Sequence, residues 1–341
     1  MAERITFKVT DYIEPDLRFE EEECRKLGIH FASYQLKSAS PKEIVRHVKD
    51  ADVILVNMAR FTKGVIAALD KAKLIIRHGI GYDNVDVEAA TAQGIVFANE
   101  ATASSEDVAE HTVMLILEAS KKKKIQDLML KDWVRTGTWS AKRIKPLYRL
   151  QGKTLGIVGC GNIGNRVLKK IAGFGLKVVV CDPYLAKERL AELGVEHTPF
   201  EDLLKESDIV TIHVPVTDET RHMFNKETMS LMKKSAVLVN TARGPVIKTG
   251  DLVQALRKGL IAGAALDVFE DEPPAPRLEL GRMNTVILSP HVAWYSEEGS
   301  WDIRRMIMDD VKAFLAGKLP RFVVNREVLK SPRLRMKLRP F

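Results

Sequence analysis

The stretch Thr154–Gly164, TLGIVGCGNIG, decides the fold. Its first five residues, Thr154 to Val158, are an apolar run of strand length. Glycines then recur at Gly159, Gly161 and Gly164 in the spacing G-x-G-x-x-G, and the following NRVLKKIAGFG (Asn165–Gly175) has helical spacing. Each glycine meets a separate demand. The first allows a tight turn, the second lets backbone approach a pyrophosphate, and the third lets helix pack on strand. The helix that opens at Asn162 and Ile163 points unpaired N–H groups and a partial positive charge at phosphates. Eighteen residues beyond Gly164, the run KVVVC ends at Asp182. A carboxylate there can accept hydrogen bonds from ribose hydroxyls and repels a 2′-phosphate, which favours NAD over NADP.

Outward from this unit the alternation continues. Further strand-like runs are IVTIHV, AVLVN, GAALDV and TVILS, giving six strands with TLGIVG and KVVVCD. On the N-terminal side, Ile5–Val9, Val53–Val56, Leu74–Arg77 and Ile95–Asn99 read as short buried strands. Pro41–Asp50 reads as a helix, with Ser40 as N-cap and proline at the first helical position. A long helix is expected from about Ser104 to about Leu130, opened by the capping pattern Ser104-x-x-Asp107. After Pro290 a helical pattern runs from Glu297 to about Leu315 and can return to the first unit. Strand–helix alternation implies parallel sheets covered by helices on both faces.

The bulk properties fit. At roughly 100–200 residues per domain, 341 residues suggest two domains. A hydrophobic fraction of 45% and a charged fraction of 29% are ordinary for a globular chain. No apolar run reaches bilayer length, and the opening MAERITFKVTD has no signal-peptide core, so no membrane association is expected. Cys24, Cys160 and Cys181 are scattered and form no C-x-x-C pair, which argues against a metal site or a disulfide framework and for a cytoplasmic protein. The net charge of +8 comes without any nucleic-acid-reading motif, so no nucleic-acid partner is expected. The run Lys121–Lys124 reads as a solvated helix face or end, and the basic tail Lys330–Phe341 as a mobile terminus. His78, His197 and His222 read as structural or surface positions.

Three segments carry candidate chemistry: NTARGPVI (Asn240–Ile247), ALDVFEDEP (Ala265–Pro273) and SPHVAWYSEE (Ser289–Glu298). Each ends or follows an apolar strand, and the carboxyl ends of strands line the ligand crevice of a doubly wound sheet. Arg243, Glu272 and His291 are thereby expected near one another. Reduction of a 2-keto acid needs a cation for the carboxylate, a proton donor beside the carbonyl oxygen and a hydride source. The planar fork of arginine suits the first and the near-neutral pKa of histidine the second. A glutamate beside the histidine orients the ring.

With RHGIGYDNVD (Arg77–Asp86), LQGKTLGIVGCGNIG (Leu150–Gly164) and HVPVTDETRHMF (His213–Phe224), these segments make the chain resemble the D-isomer-specific 2-hydroxyacid dehydrogenase family from about Val53 to about Asn325. The resemblance implies α/β architecture with two doubly wound parallel-sheet domains, a Rossmann NAD-binding domain inserted into a flavodoxin-like substrate domain. The expected boundaries are 1–101 for the first part of the substrate domain, 102–295 for the NAD domain, and 296–341 for the returning helix and basic tail. By the same resemblance Arg243 is the substrate arginine, His291 the acid/base and Glu272 its partner. Asp267 would bond the nicotinamide amide. Thr112, His213, Val214, Pro215, Thr220, Thr241 and Ala242 would line the cofactor, and Ile80 and Gly81 would offer N–H groups to the substrate carboxylate. Arg60 is a candidate substrate cation. The long helix and its arm, through Trp133 and Trp139, resemble the family's homodimer contact. PHVAWYSEE resembles the branch of carboxy-terminal binding protein-like bacterial dehydrogenases, in which the position of Trp294 touches the substrate side chain. That implies a 2-keto acid with an apolar or thioether side chain. The alternatives are a short phosphoglycerate dehydrogenase, a hydroxypyruvate or glyoxylate reductase, and, in another class, an NAD-sensing corepressor-like scaffold.

Overall fold

The computed structural model describes residues 4–336. The chain divides into two compact units, one made of 4–104 with 296–336 and the other of Ser105–Tyr295. The first division falls three residues later than the expected 101/102.

The first unit holds β1 (Thr6–Val9), β2 (His30–Ser33), β3 (Val53–Val56), β4 (Leu74–Arg77) and β5 (Val96–Asn99), all parallel, in the order β2-β1-β3-β4-β5. This is the flavodoxin-like order. The inner strand β3 is buried along its whole length, as a sheet covered on both faces requires, and so is the last strand, β5. β2 was absent from the expected strands. Its sequence HFAS is exposed at His30 and only partly buried elsewhere, so an edge strand with one neighbour left no apolar run to read. The helix Pro41–Val48 forms as its signals indicate, with Glu43 N–H donating to the Ser40 hydroxyl at 3.3 Å.

The helix Glu297–Leu315 joins this unit by burying Ile303, Ile307, Val311 and Phe314 along one face. Arg304 on it forks onto Glu20 at 2.7 and 2.6 Å, both side chains being buried. Asn325 then accepts from Phe97 N–H at 2.8 Å and donates to Ile95 O at 3.0 Å, extending the β5 edge. The tail departs from expectation. Through Met336 it is docked rather than loose: Arg335 N–H donates to Gly94 O at 2.9 Å, its guanidinium reaches Leu69 O and Gln93, and Met336 is 3% exposed. Residues 337–341 of that segment lie outside the described residues.

The second unit holds β6 (Thr154–Val158), β7 (Lys177–Cys181), β8 (Ile209–Ile212), β9 (Val237–Asn240), β10 (Gly263–Leu266) and β11 (Val286–Leu288), parallel in the order β11-β10-β9-β8-β6-β7. A single parallel bridge from Val180 to His197 adds a vestigial strand beyond β7. With it the order reads as the doubly wound dinucleotide-binding sheet. Alternate residues feed two cores. Val210, Leu238 and Ala264 pack with Leu252 and Ala255 on one face; Ile209, Val239 and Ala265 pack with Leu115, Ile116 and Val167 on the other.

The expected long helix is two helices, Ser105–Ser120 and Lys123–Thr136. The break falls at Lys122, which adopts the left-handed region at φ +54°. Four consecutive lysines carry ordinary helix propensity, so local sequence held no stop signal. Nor is the run Lys121–Lys124 simply a solvated face. Lys121, Lys122 and Lys124 donate to the carbonyls of Tyr148, Ile144, Met283 and Val286. The second helix buries none of its residues, and Trp133 and Trp139, with rings edge to face at 5.3 Å, are 40% and 76% exposed.

Candidate active site

The glycine motif sits where β6 meets the helix Asn162–Ile171. Gly159 lies at φ +87°, and a Cβ there would fall 2.8 Å from His213 O, so both conformation and packing demand glycine. A Cβ on Gly164 would collide with the Gly159 carbonyl oxygen, which is close packing of helix on strand. Gly161 differs: beyond its chain neighbours, no described residue lies within 4 Å of the position its Cβ would take. Glycine at 161 therefore answers to something other than the protein's own packing, and close approach of a ligand to the backbone is the physical account. No side chain caps this helix start, so its first N–H groups are available to an anion. Asn162 is exposed there and Ile163 half-buried. Asp182 at the end of β7 is tied to the same turn: its carboxylate accepts from Cys160 N–H at 2.8 Å and from Tyr184 N–H at 3.1 Å. These residues fit a dinucleotide.

Beyond β8, His213 N–H donates to Val158 O at 2.7 Å and its ring shares a hydrogen bond with Thr211 at 3.0 Å. Burial lowers the His213 pKa to about 3, so the ring is neutral. Val214 is half-buried and Pro215 exposed; Thr220 donates to Pro215 O at 2.6 Å and closes the loop. Thr112 and Thr241, both buried, share a hydrogen bond of 2.7 Å that joins the helix Ser105–Ser120 to the end of β9.

The catalytic candidates come from three neighbouring strand ends. Ala242 N–H donates to Asn240 Oδ1 at 3.0 Å, and Asn240 Nδ2 donates to Arg243 O at 2.9 Å, which fixes the turn carrying the guanidinium. The next residue, Gly244, packs so tightly on the Phe269 carbonyl that a Cβ would not fit. Phe269 N–H in turn donates to Glu272 Oε1 at 2.9 Å, and Glu272 Oε2 meets His291 Nδ1 at 2.6 Å. Burial raises the Glu272 pKa, but the hydrogen bond and charge of His291, the Phe269 N–H and the charge of Arg243 outweigh it and hold it below the ordinary value. An ionised carboxylate only accepts, so Nδ1 is the donor and Nε2 is left to give or take a proton.

His291 sits at φ +55°, a region side chains other than glycine rarely occupy. Asp267 holds it there. Asp267, expected from the resemblance to bond the nicotinamide amide, is fully buried beneath the loop. Its carboxylate accepts from Ser289 Oγ at 2.6 Å, Val292 N–H at 3.0 Å and Ala293 N–H at 2.9 Å, while its carbonyl accepts from His291 N–H at 2.8 Å. His111, which the sequence reading passed over, shares a hydrogen bond with Ser289 Oγ at 3.0 Å and completes this support. Its adjacency to Thr112 was the only signal. Trp294 donates its indole N–H to His291 O at 3.0 Å, so its one donor is used and its ring remains apolar.

Arg60, Ile80 and Gly81 belong to the first unit. Arg60 is exposed at the end of a loop shaped by Asp11, which accepts from Met58 N–H at 2.7 Å and Ala59 N–H at 3.1 Å. Ile80 and Gly81 are half-buried, and Ile80 O accepts from Asn99 Nδ2 at 2.6 Å. The sequence reading missed Asp11 and Asn99. His222, read as structural, bonds Glu270 at 2.6 Å. His78 pairs with Glu14 at 2.9 Å in the first unit.

Residues 113–293 match the family model described as D-isomer specific 2-hydroxyacid dehydrogenase, NAD binding domain. The chain is 40% identical over 302 residues to a D-3-phosphoglycerate dehydrogenase of Methanocaldococcus jannaschii, with 88% of the chain aligned, and it spans 56% of that relative's length. It is 37% identical over 312 residues to a glyoxylate reductase of Korarchaeum cryptofilum, covering 89% of this chain and 93% of the relative. Among solved structures, the D-lactate dehydrogenase of Aquifex aeolicus complexed with NAD and lactic acid superposes with a TM-score of 0.80 at 33% identity, covering 91% of this chain and 96% of that one. The chain thus belongs to the D-isomer specific 2-hydroxyacid dehydrogenase family, oxidoreductases that act on CH–OH donors with NAD as cofactor.

Proposed function

We propose that this protein reduces small, unphosphorylated 2-keto acids to 2-hydroxy acids, of D configuration where C2 is chiral, with glyoxylate and 2-keto acids bearing apolar or thioether side chains as its substrates. The 2.6 Å contact between His291 Nδ1 and Glu272 carries the reading, because it commits Nε2 to proton transfer. Arg243 binds the substrate carboxylate in a fork, and its charge lies close enough to help keep Glu272 ionised. NADH, when bound, would supply the hydride. His291 delivers the proton to the carbonyl oxygen and recovers it in the reverse direction. Gly159, Gly161, Asn162, Ile163 and Gly164 hold the pyrophosphate, and Asp182 the ribose. Thr112, His213, Val214, Pro215, Thr220, Thr241 and Ala242 line the rest of the cofactor, and Asp267 supports the loop beside the nicotinamide. Arg60, Ile80 and Gly81 serve the substrate carboxylate.

Two observations support the substrate class. The indole N–H of Trp294 is already spent on His291 O, which leaves a ring that can cover methylenes and offers nothing to a phosphate. The glyoxylate reductase of Korarchaeum cryptofilum matches over nearly its whole length. The exposed pair Trp133 and Trp139 supports a homodimer built on that arm. The test is NADH oxidation with glyoxylate, pyruvate, hydroxypyruvate, 4-methylthio-2-oxobutyrate and phosphohydroxypyruvate, on the wild type and Trp294→Ala. Phosphohydroxypyruvate is expected to have the lowest kcat/KM. The variant is expected to lose roughly 10–200-fold on the thioether substrate and less on glyoxylate. A wild type that prefers phosphohydroxypyruvate refutes the reading.

A further inference from the structure

The cofactor motif and the His291 segment occupy the carboxyl ends of the strands of the second unit. At the opposite ends of the same strands lies a cavity of about 370 Å³, lined by Ile209 at the start of β8, Val237 at the start of β9, Gly263 at the start of β10 and Ile287 on β11. Nothing in the proposed chemistry uses it. Its volume falls within the range of small-molecule sites.

The walls combine an apolar floor with an excess of positive charge. Ile209, Val237 and Ile287 supply the floor, and the ring of Tyr148 one side. Lys122, Lys124, Arg149, Lys153 and Lys234 line the cavity, against one carboxylate, that of Asp208. Asp208 is already engaged by Lys153, Lys233 and the Thr154 N–H. Among the described residues Lys122 and Lys124 donate only to main-chain carbonyls, those of Ile144, Met283 and Val286, and no carboxylate there pairs with them. Their partial burial lowers both pKa values, a sign that these charges lack compensation. Ser120 is also among the lining residues, and its enclosed hydroxyl has no hydrogen-bond partner among the described residues. The helix break that brings Ser120 and Lys122 to the wall holds Lys122 in the left-handed region, a conformation with a cost for a lysine. A buried orphan hydroxyl, uncompensated lysines and a strained residue converge on one concave surface.

We propose that this cavity is a second binding site, separate from the cofactor crevice, for a small organic anion: an acid group held by Lys122 and Lys124, and an apolar body covered by Ile209, Val237 and Ile287. Arg149 and Lys234, which have no ion-pair partner among the described residues, draw the anion to the mouth.

The probe is phenyl phosphate, titrated calorimetrically into the full chain saturated with NAD so that the cofactor crevice is filled. Saturable binding with one molecule per chain is expected. Phenol, which lacks the charge, and inorganic phosphate, which lacks the apolar body, should each bind at least about tenfold more weakly. Lys122→Ala should weaken phenyl phosphate by about tenfold or more, with NADH affinity unchanged. Because Lys122 also braces the helix break, Lys234→Glu, at an exposed position, provides a second variant and should weaken binding as well. Three results would overturn the proposal: no saturable binding, equal affinity in the wild type and both variants, or a crystal structure with phenyl phosphate only in the cofactor crevice.

Discussion

Glu100 directly follows β5 in the first unit and is fully buried, and neither carboxyl oxygen has a hydrogen-bond partner among the described residues. Burial, with the nearby Asp310 and Asp309 opposed only by Arg321, raises its pKa from 4.5 to about 8. Below about pH 4.5 the carboxyl is protonated in both folded and unfolded chains and makes no pH-dependent contribution. Between 4.5 and about 8 the unfolded chain has released the proton while the folded chain retains it, so stability falls as pH rises; above about 8 the loss is complete. At about 1.4 kcal/mol per pH unit, the full loss is at most about 5 kcal/mol, and at pH 7 about 3 kcal/mol. Glu100→Gln keeps the volume and removes the ionisation. It should match the wild type near pH 5 and exceed it progressively up to pH 8. Hydrogen exchange of the β4 and β5 amides, corrected for intrinsic exchange, reads this directly. Wild-type protection should fall with pH through that window, by up to about 300-fold at pH 7 relative to the variant. Parallel profiles in the two proteins would refute the assignment of a neutral buried acid at 100.

His291→Gln should lower kcat by about 10²–10⁴-fold while NADH binding, measured by fluorescence, survives; near-normal turnover across pH would mean the proton comes from another group. Gly161→Ala should fold with stability within about 0.5 kcal/mol of the wild type yet lose NADH affinity, because its Cβ meets nothing in the protein. Gly164→Ala should instead destabilise by about 1–3 kcal/mol, because its Cβ strikes the Gly159 carbonyl; equal melting temperatures for the two variants would contradict this division of roles. Asp182→Ala should erode the preference for NADH over NADPH in kcat/KM, and a wild type that turns over NADPH as well as NADH would remove the basis for the carboxylate's proposed role.

What could be read from sequence follows from where each element's determinants lie. β3, β5, β6, β8 and β9 are buried strands, and burial on both faces writes itself as runs rich in Val, Ile and Leu. β2 has no such record because an edge strand is specified by its neighbour β1, through pairs such as Phe7 with Phe31. The helix break at Lys122 is set by carbonyls of residues 144, 148, 283 and 286, none within reach of a local pattern. The docked tail depends on Gly94, where a side chain would strike the Arg333 carbonyl, and on Arg335 finding the Leu69 carbonyl. Glu100 reads as an ordinary loop acid because the groups that bury it and perturb it, Asp310 and Arg321, come from the returning C-terminal segment.

The site shows the same division more sharply. Residue type suggests chemistry: a guanidinium, a carboxylate and an imidazole at successive strand ends are the groups that reduction of a keto acid needs. Residue type does not disclose geometry. His291 reaches Glu272 because its backbone is held at φ +55°, and that conformation rests on a second carboxylate, Asp267, which collects three hydrogen bonds from the loop below the ring. One acid is buried and saturated by the loop, the other is partly exposed and bonded to the ring, and sequence spacing alone does not separate these duties. The strained conformation is held by a fully buried side chain that bonds the loop at three points, so the orientation of the imidazole is built into the fold of the second unit.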